Sequence, residues 1–216
     1  PALGRLVSGA RRLRIPFAFE PRQRLDDLCG TDKHQGVAAQ VAAVPYATLE
    51  QVLERAEKEP PGLIVVLDGV EDPRNLGAVI RTAEAAGCHG LVVPKRHAAP
   101  LTDVAAKASA GASLVLPLAR VDNTVRALET LKGRGFWVYG LDTAAPTPVS
   151  APDYRVPVVL VVGAEGKGLR PLVKKACDHL VGIPLKGVTA SLNVSAAAAV
   201  GIFMVVSRRE GWGESR

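Results

Sequence analysis

Three short stretches of this 216-residue chain gather the side chains that could act together on a ligand. Asn75, Gly77 and Arg81 lie in "DPRNLGAVIRTAEAAG", Gly163, Glu165, Gly166 and Gly168 in "VVGAEGKGLRP", and Ser191, Asn193 and Ser195 in "GVTASLNVSAAAAV". They offer one permanent cation, one carboxylate, amides that both donate and accept hydrogen bonds, and hydroxyls. The glycines let a backbone approach a ligand closely, although a plain tight turn with a solvated Glu165 needs the same residues. A nucleotide phosphate cradle is not indicated, because the glycines at 163, 166 and 168 read G-x-x-G-x-G and no Ser or Thr follows Gly-Lys. Ser191 and Asn193 both suit the start of a helix, but capping uses only one of them, and it leaves the triplet with Ser195 unexplained.

Those stretches need elements to hold them. From residue 63 onward, β-branched apolar runs alternate with helix-like segments: "LIVVLD" at 63–68, "GLVVP" at 90–94, "SLVLPL" at 113–118, "FWVYGL" at 136–141, "VPVVLVVG" at 156–163 and "HLVGIPL" at 179–185. Helices are expected near 75–87, 102–110, 122–133, 168–177 and 193–209. Continuously apolar strands separated by helices require a mostly parallel sheet covered on both faces, so the fold class is α/β with about six strands. Each polar stretch follows a strand, and ligands of such sheets collect at the strands' carboxyl ends. In the first helix Leu76, Val79, Ile80, Ala83 and Ala86 form an apolar stripe. Arg81 lies on the other side with Gly77, Ala78 and Ala85, a small face that the last helix or a second subunit could approach. Thr48 and Gln51 form a capping-box signal for a helix running to Lys58, which "EPPG" ends. Residues 1–44 are too few for a core of their own and read as the remnant of an N-terminal domain, 45–62 as a linker and helix, and 63–216 as the main domain.

Composition sets the bounds. Hydrophobic residues make up 48% and charged residues 22%, which is globular rather than disordered. Cys29, Cys88 and Cys177 are odd in number and unpaired in spacing, pointing to reduced thiols in a cytoplasmic setting and to no metal site. No apolar run reaches bilayer length. The chain begins on proline, so the start of the protein is expected to be missing. The net charge of +6 is a weak pointer to nucleic acid. Its distribution says more: Arg5, Arg11, Arg12, Arg14, Arg22 and Arg24 crowd the N-terminus, and Lys95, Arg96 and His97 follow one strand.

The segments "DPRNLGAVIRTAEAAG", "VVGAEGKGL" and "IPLKGVTASLNVSAAAA", in this order and at these distances, resemble the three motifs of the SpoU/TrmH (SPOUT) family of S-adenosylmethionine-dependent RNA ribose 2'-O-methyltransferases. The similarity covers residues 63–207. "HQGVAAQV" at 34–41 and "PKRHAAPLTDVAAKASAGA" at 94–112 resemble the RlmB-type branch, which modifies a guanosine of large-subunit (23S-type) ribosomal RNA. The resemblance implies a C-terminal trefoil knot, an L30e-like RNA-binding domain of which residues 1–44 are the end, and a homodimer whose sites straddle the interface. It implies cofactor contacts from Gly163, Ala164, Glu165, Gly166, Ile183, Leu185, Ser191 and Leu192, with Leu185 standing where the family usually has methionine. It places Arg81, Asn75, Glu165, Ser191 and Asn193 at the chemistry; with Arg81, the basic loop of Lys95 and Arg96 and the Lys107 that follows it could meet RNA backbone.

Ribose methylation needs a hydroxyl that loses its proton as the bond forms. Family mechanisms make the motif-one arginine the base, but an arginine is always protonated and has no acceptor. Arg81 is therefore expected to stay charged and stabilise the developing alkoxide, with Glu165 fixing Arg81 or Asn193. The alternatives are a transfer-RNA ribose methyltransferase and a ribosome assembly factor that lost its activity. A nicotinamide oxidoreductase lacks its glycine fingerprint here.

Overall fold

The computed structural model describes residues 2–40, 42 and 44–212. The chain forms two compact units, residues 1–43 and 44–216. In the first, α1 (Ala2–Arg12) and α2 (Arg22–Cys29) precede a turn organised by His34. Gly36 N donates to His34 Nδ1 at 2.9 Å, so the ring proton sits on Nε2 and is shared with Asp26 Oδ1 at 2.9 Å. No residue of α2 is buried.

The second unit begins with α3 (Leu49–Lys58), where Thr48 and Gln51 close the capping box. Then follow β1 (Leu63–Asp68), α4 (Pro73–Ala85), β2 (Gly90–Pro94), α5 (Asp103–Ala108), β3 (Leu118–Val121), α6 (Thr124–Gly133), β4 (Trp137–Leu141), β5 (Val158–Gly163), α7 (Pro171–Ala176), β6 (His179–Val181) and α8 (Val194–Glu210). The six strands make one sheet in the order β3-β2-β1-β5-β4-β6, and every neighbouring pair is parallel. Both faces are covered, which is why all six residues of β1 are buried. Leu63, Val65 and Leu67 pack with α4, α5 and α8; Ile64 and Val66 pack with α3, α6 and α7. Residues 45–58 thus pack onto the sheet within the same unit.

The run at 113–118 is not a strand. Ala112–Leu114 is a single 3-10 turn, Leu114 and Val115 are exposed, and Pro117 cannot donate to a ladder, so β3 starts only at Leu118. Likewise β6 stops at Val181, and α7 starts at Pro171 rather than at 168.

The small face of α4 has a different neighbour from the one its composition suggests. A Cβ added to Gly77 would stand 2.4 Å from Ala105 O and 2.6 Å from Ala108 Cβ, so the backbone that comes close is the chain's own α5. The last helix also packs on α4, through the apolar stripe that the two share with the core.

Sheet order runs outward in opposite directions from the β1–β5 pair. The loops leaving these two strands therefore diverge, and a crevice opens between them at their carboxyl ends.

Candidate active site

The crevice between those loops is one of two clefts, which the loop after β5 separates. The first, about 260 Å³, lies beyond β4, β5 and β6; Gly163, Ala164, Glu165, Gly166, Ile183, Leu185, Ser191 and Leu192 all line it, with Leu141, Asp142 and Lys174. The second, about 600 Å³, is lined by Asp68–Asp72, Asn75, His97 and Lys167–Pro171. Ala164, Glu165, Lys167, Gly168, Leu169 and Val194 belong to both walls.

The dividing loop is built from glycine. Ala164 N donates to Gly168 O at 3.1 Å and Gly168 N to Ala164 O at 2.8 Å, closing a small hairpin. Gly166 and Gly168 take φ of +73° and +65°, a region that disfavours residues with a Cβ. Gly163 is needed for a different reason: a Cβ there would meet Gly168 C at 2.2 Å.

Two helices begin at this loop. Asp72 caps α4, accepting from Arg74 N at 2.8 Å, with Pro73 in the first turn. Asn193 caps α8: its Oδ1 accepts from Ser195 N at 2.9 Å and Ser195 Oγ at 2.6 Å. Those bonds orient the amide, and its Nδ2 donates to Asn75 Oδ1 at 3.2 Å and to Glu165 Oε2 at 3.4 Å. One side chain from each motif thus meets at the shared wall. Ser191, the other capping candidate, instead stands exposed in the lining of the first cleft.

Other expected residues lie apart from this cluster. Arg81 is exposed on α4 and lines neither cleft of its own chain. Lys95 is paired with Asp122 Oδ2 at 2.9 Å and its carbonyl accepts from Arg120 Nη2, while Arg96 and Lys107 are exposed on the loop after β2 and on α5. Among the described residues no cluster of three or more His, Cys, Asp or Glu could hold a metal, and no helix is long and apolar enough to cross a membrane.

The structure adds groups that the motifs do not contain. Asp142 pairs with Lys174 at 2.6 Å in the first cleft, and that bond holds its carboxyl below the usual carboxylate range. In the second, Asp68 is fully buried and bound by Arg170, and His97, at φ +56°, faces Glu71 at 3.5 Å. Asp68 could have been suspected from a carboxylate ending a wholly apolar strand; its partner, 102 residues away, could not.

Comparison with known proteins gives this geometry a setting. Residues 62–203 match the SpoU rRNA Methylase family, and residues 1–47 match the RNA 2'-O ribose methyltransferase substrate binding family. YacO of Bacillus subtilis, named for the TrmH family of tRNA/rRNA methyltransferases, is 44% identical over 97% of this chain and 84% of its own. The 23S rRNA (guanosine-2'-O-)-methyltransferase RlmB of Pseudomonas putida is 43% identical over 97% of this chain and 85% of its own. The chain spans only 49% and 66% of two other relatives, from Synechocystis and Mycobacterium ulcerans. The crystal structure of the SpoU methyltransferase AviRb from Streptomyces viridochromogenes with AdoMet aligns at a TM-score of 0.70 and 29% identity, over 78% of this chain and 67% of that one.

Proposed function

This chain belongs to the SpoU rRNA Methylase family and is an S-adenosylmethionine-dependent RNA 2'-O-ribose methyltransferase; from that premise we propose that its substrate is a guanosine of large-subunit ribosomal RNA. The observation that carries the mechanism is the Asn193 amide, which ties Asn75 and Glu165 together at the wall between the two clefts. The target ribose lies on the second-cleft side of that wall.

The first cleft suits the cofactor chemically. Ile183, Leu185 and Leu192 give an apolar surface for a purine, and the Glu165 carboxylate together with the Asp142–Lys174 pair offers charges of both signs to a ligand that carries both. Bound there, S-adenosylmethionine supplies an electrophilic methyl group. The chain's own residues do the rest. Asn75 and Asn193, fixed by their caps and each other, orient the ribose hydroxyls, and Glu165 keeps the Asn193 amide in place. Ser191 contacts ribose or phosphate. Arg81, charged, stabilises the alkoxide as its proton leaves to water. Its place outside its own chain's clefts supports a two-fold homodimer in which the arginine reaches the neighbouring site. Lys95, Arg96 and Lys107 contact RNA backbone.

The finer features of the fold belong to the same proposal. A trefoil-knotted C-terminus is supported by the family match over residues 62–203. An L30e-like N-terminal domain ending in residues 1–44 is supported by the substrate-binding match. Cytoplasmic action is supported by the free cysteines.

Unmodified large-subunit RNA incubated with labelled S-adenosylmethionine is expected to acquire label at one alkali-resistant guanosine. Label in transfer RNA alone would establish the transfer-RNA alternative. Tight cofactor binding with no label in either would establish an assembly factor. A pH–rate profile tests Arg81: Arg81→Lys is expected to keep the wild-type kinetic pKa, and a large downward shift, following the lower intrinsic pKa of lysine, would make the arginine a base.

A further inference from the structure

Asp68 ends the central strand fully buried, where an isolated carboxylate would be strongly disfavoured. Arg170 answers it with three contacts: its backbone N donates to Oδ2 at 2.9 Å, its Nε to Oδ1 at 2.7 Å, and its Nη2 lies 2.5 Å from Oδ1. The same Nη2 also donates to the buried Thr124 Oγ1 at 3.1 Å. Neutralising Asp68 would need only part of this. What remains is Nη1, which carries two N–H donors and has no hydrogen-bond partner among the described residues. The side chain that carries it is 47% exposed and lines the second cleft.

The other polar groups there are differently engaged. Asp72 caps α4, and Glu71 faces His97. Lys167 is exposed on the hairpin, with no bond fixing its ammonium among the described residues. Arg170 is the cation of this cleft whose position is set in advance, so a ligand that meets it costs little side-chain entropy. The cleft shares its wall with the cofactor cleft, so a nucleotide whose 2'-hydroxyl faces that wall brings its flanking backbone into the second cleft. We propose that Arg170, held by Asp68 and Thr124, binds a backbone phosphate of the RNA through Nη1. This rests on the methyltransferase reading of the neighbouring cleft. The match of donor to ligand favours phosphate over base: Nε and Nη2 are taken, which blocks the two-nitrogen fork that reads guanine O6 and N7.

Fluorescence anisotropy of the full chain, saturated with S-adenosylhomocysteine and mixed with fluorescein-labelled single-stranded RNA at several salt concentrations, tests it. Arg170→Gln is expected to weaken binding about tenfold at low salt and to lower the slope of log K against log salt by about 0.7. The loss is expected to be equal for oligonucleotides of different sequence, and Arg170→Lys should keep the wild-type slope. Because Arg170→Gln leaves Asp68 buried without its partner, Asp68→Asn/Arg170→Gln, which removes both charges, is measured beside it. S-adenosylhomocysteine binding reports folding, since Arg170 does not line that cleft. A double variant that binds this cofactor product normally and keeps the wild-type salt slope overturns the proposal. So does a loss that depends on RNA sequence. Wild-type protein that binds no RNA overturns the RNA reading of the whole site, and this inference with it.

Discussion

Gly163→Ala probes the wall between the clefts with one methyl group. In the native geometry that methyl would lie 2.2 Å from Gly168 C, 2.4 Å from Gly168 O and 2.4 Å from Leu169 N, where ordinary contact begins at 3.4 Å. All three are backbone atoms, so no side chain can swing aside, and Gly168–Leu169 must retreat by about 1 Å. That retreat breaks the Ala164–Gly168 pair of hydrogen bonds, at about 1 kcal/mol each, and adds strain of about 1–3 kcal/mol. The total, about 3–5 kcal/mol, falls on the loop that lines the cofactor cleft, and each 1.4 kcal/mol is a factor of ten in affinity. Calorimetric titration with S-adenosylmethionine is expected to show binding weakened by at least about 100-fold. Any strain that the loop passes to the sheet should appear as a lower Tm instead. Gly166→Ala is the control: nothing lies within 4 Å of its added Cβ, so only the φ of +73° penalises it, at about 1–2 kcal/mol. If Gly163→Ala binds within twofold of wild type at an unchanged Tm, the close-approach argument is wrong.

Three further predictions concern the rest of the domain. Arg209 donates to the carbonyls of Pro61, Gly62, Tyr154 and Val156; Arg209→Met keeps the stem but not the donors, and urea unfolding should show a loss of about 3–5 kcal/mol. Burial pushes the thiols of Cys88 and Cys177 up to about 12, so a disulfide reagent should titrate exposed Cys29 first and the other two only on unfolding; equal native rates for all three would contradict this. His89 has its pKa lowered by burial, which outweighs the raising effects of the Leu63 backbone and Glu59; its Nδ1 lies 3.0 Å from Leu63 N and 3.3 Å from Leu63 O, and accepts from the nearer N–H when the ring is neutral. The unfolded state therefore binds the proton more readily, so stability should hold above about pH 6.5 and decline below it, and His89→Gln should flatten that decline in Tm against pH.

How much of this was legible depends on whether a feature is written in local periodicity or in contacts between distant segments. The apolar stripe of α4, the Thr48–Gln51 box and five of the strands follow from spacing alone, because each rests on neighbours within a few residues. "SLVLPL" failed because composition counts its leucines and valine, while Pro117 and the turn before it decide the backbone. The close approach at Gly77 was legible, but not its partner, because a glycine announces a missing Cβ and not the identity of what fills the space. The residues assigned to the cofactor could be gathered in advance only through the family resemblance. Asp68 and Arg170, which belong to no motif, became a pair only once β1 and β5 lay side by side.

The placement of Asn193 depends on both ends of the domain. Its amide joins the three motifs, and it is also the first link of α8, a helix of 17 residues and therefore about 25 Å long. The far end of that helix carries Arg209, whose guanidinium grips the carbonyls before β1 and β5. Between these ends Val194, Ala198, Ile202 and Val205 are buried against the sheet, so the helix can neither slide nor rotate without uncovering them. The amide that sets the chemistry is thus positioned by a cap at one end, an apolar face along the middle and an arginine anchor at the other. Ala196, Ala197 and Ala199 offer no side-chain hydrogen bond near the site, so the position of the helix is specified by its buried face and its two ends.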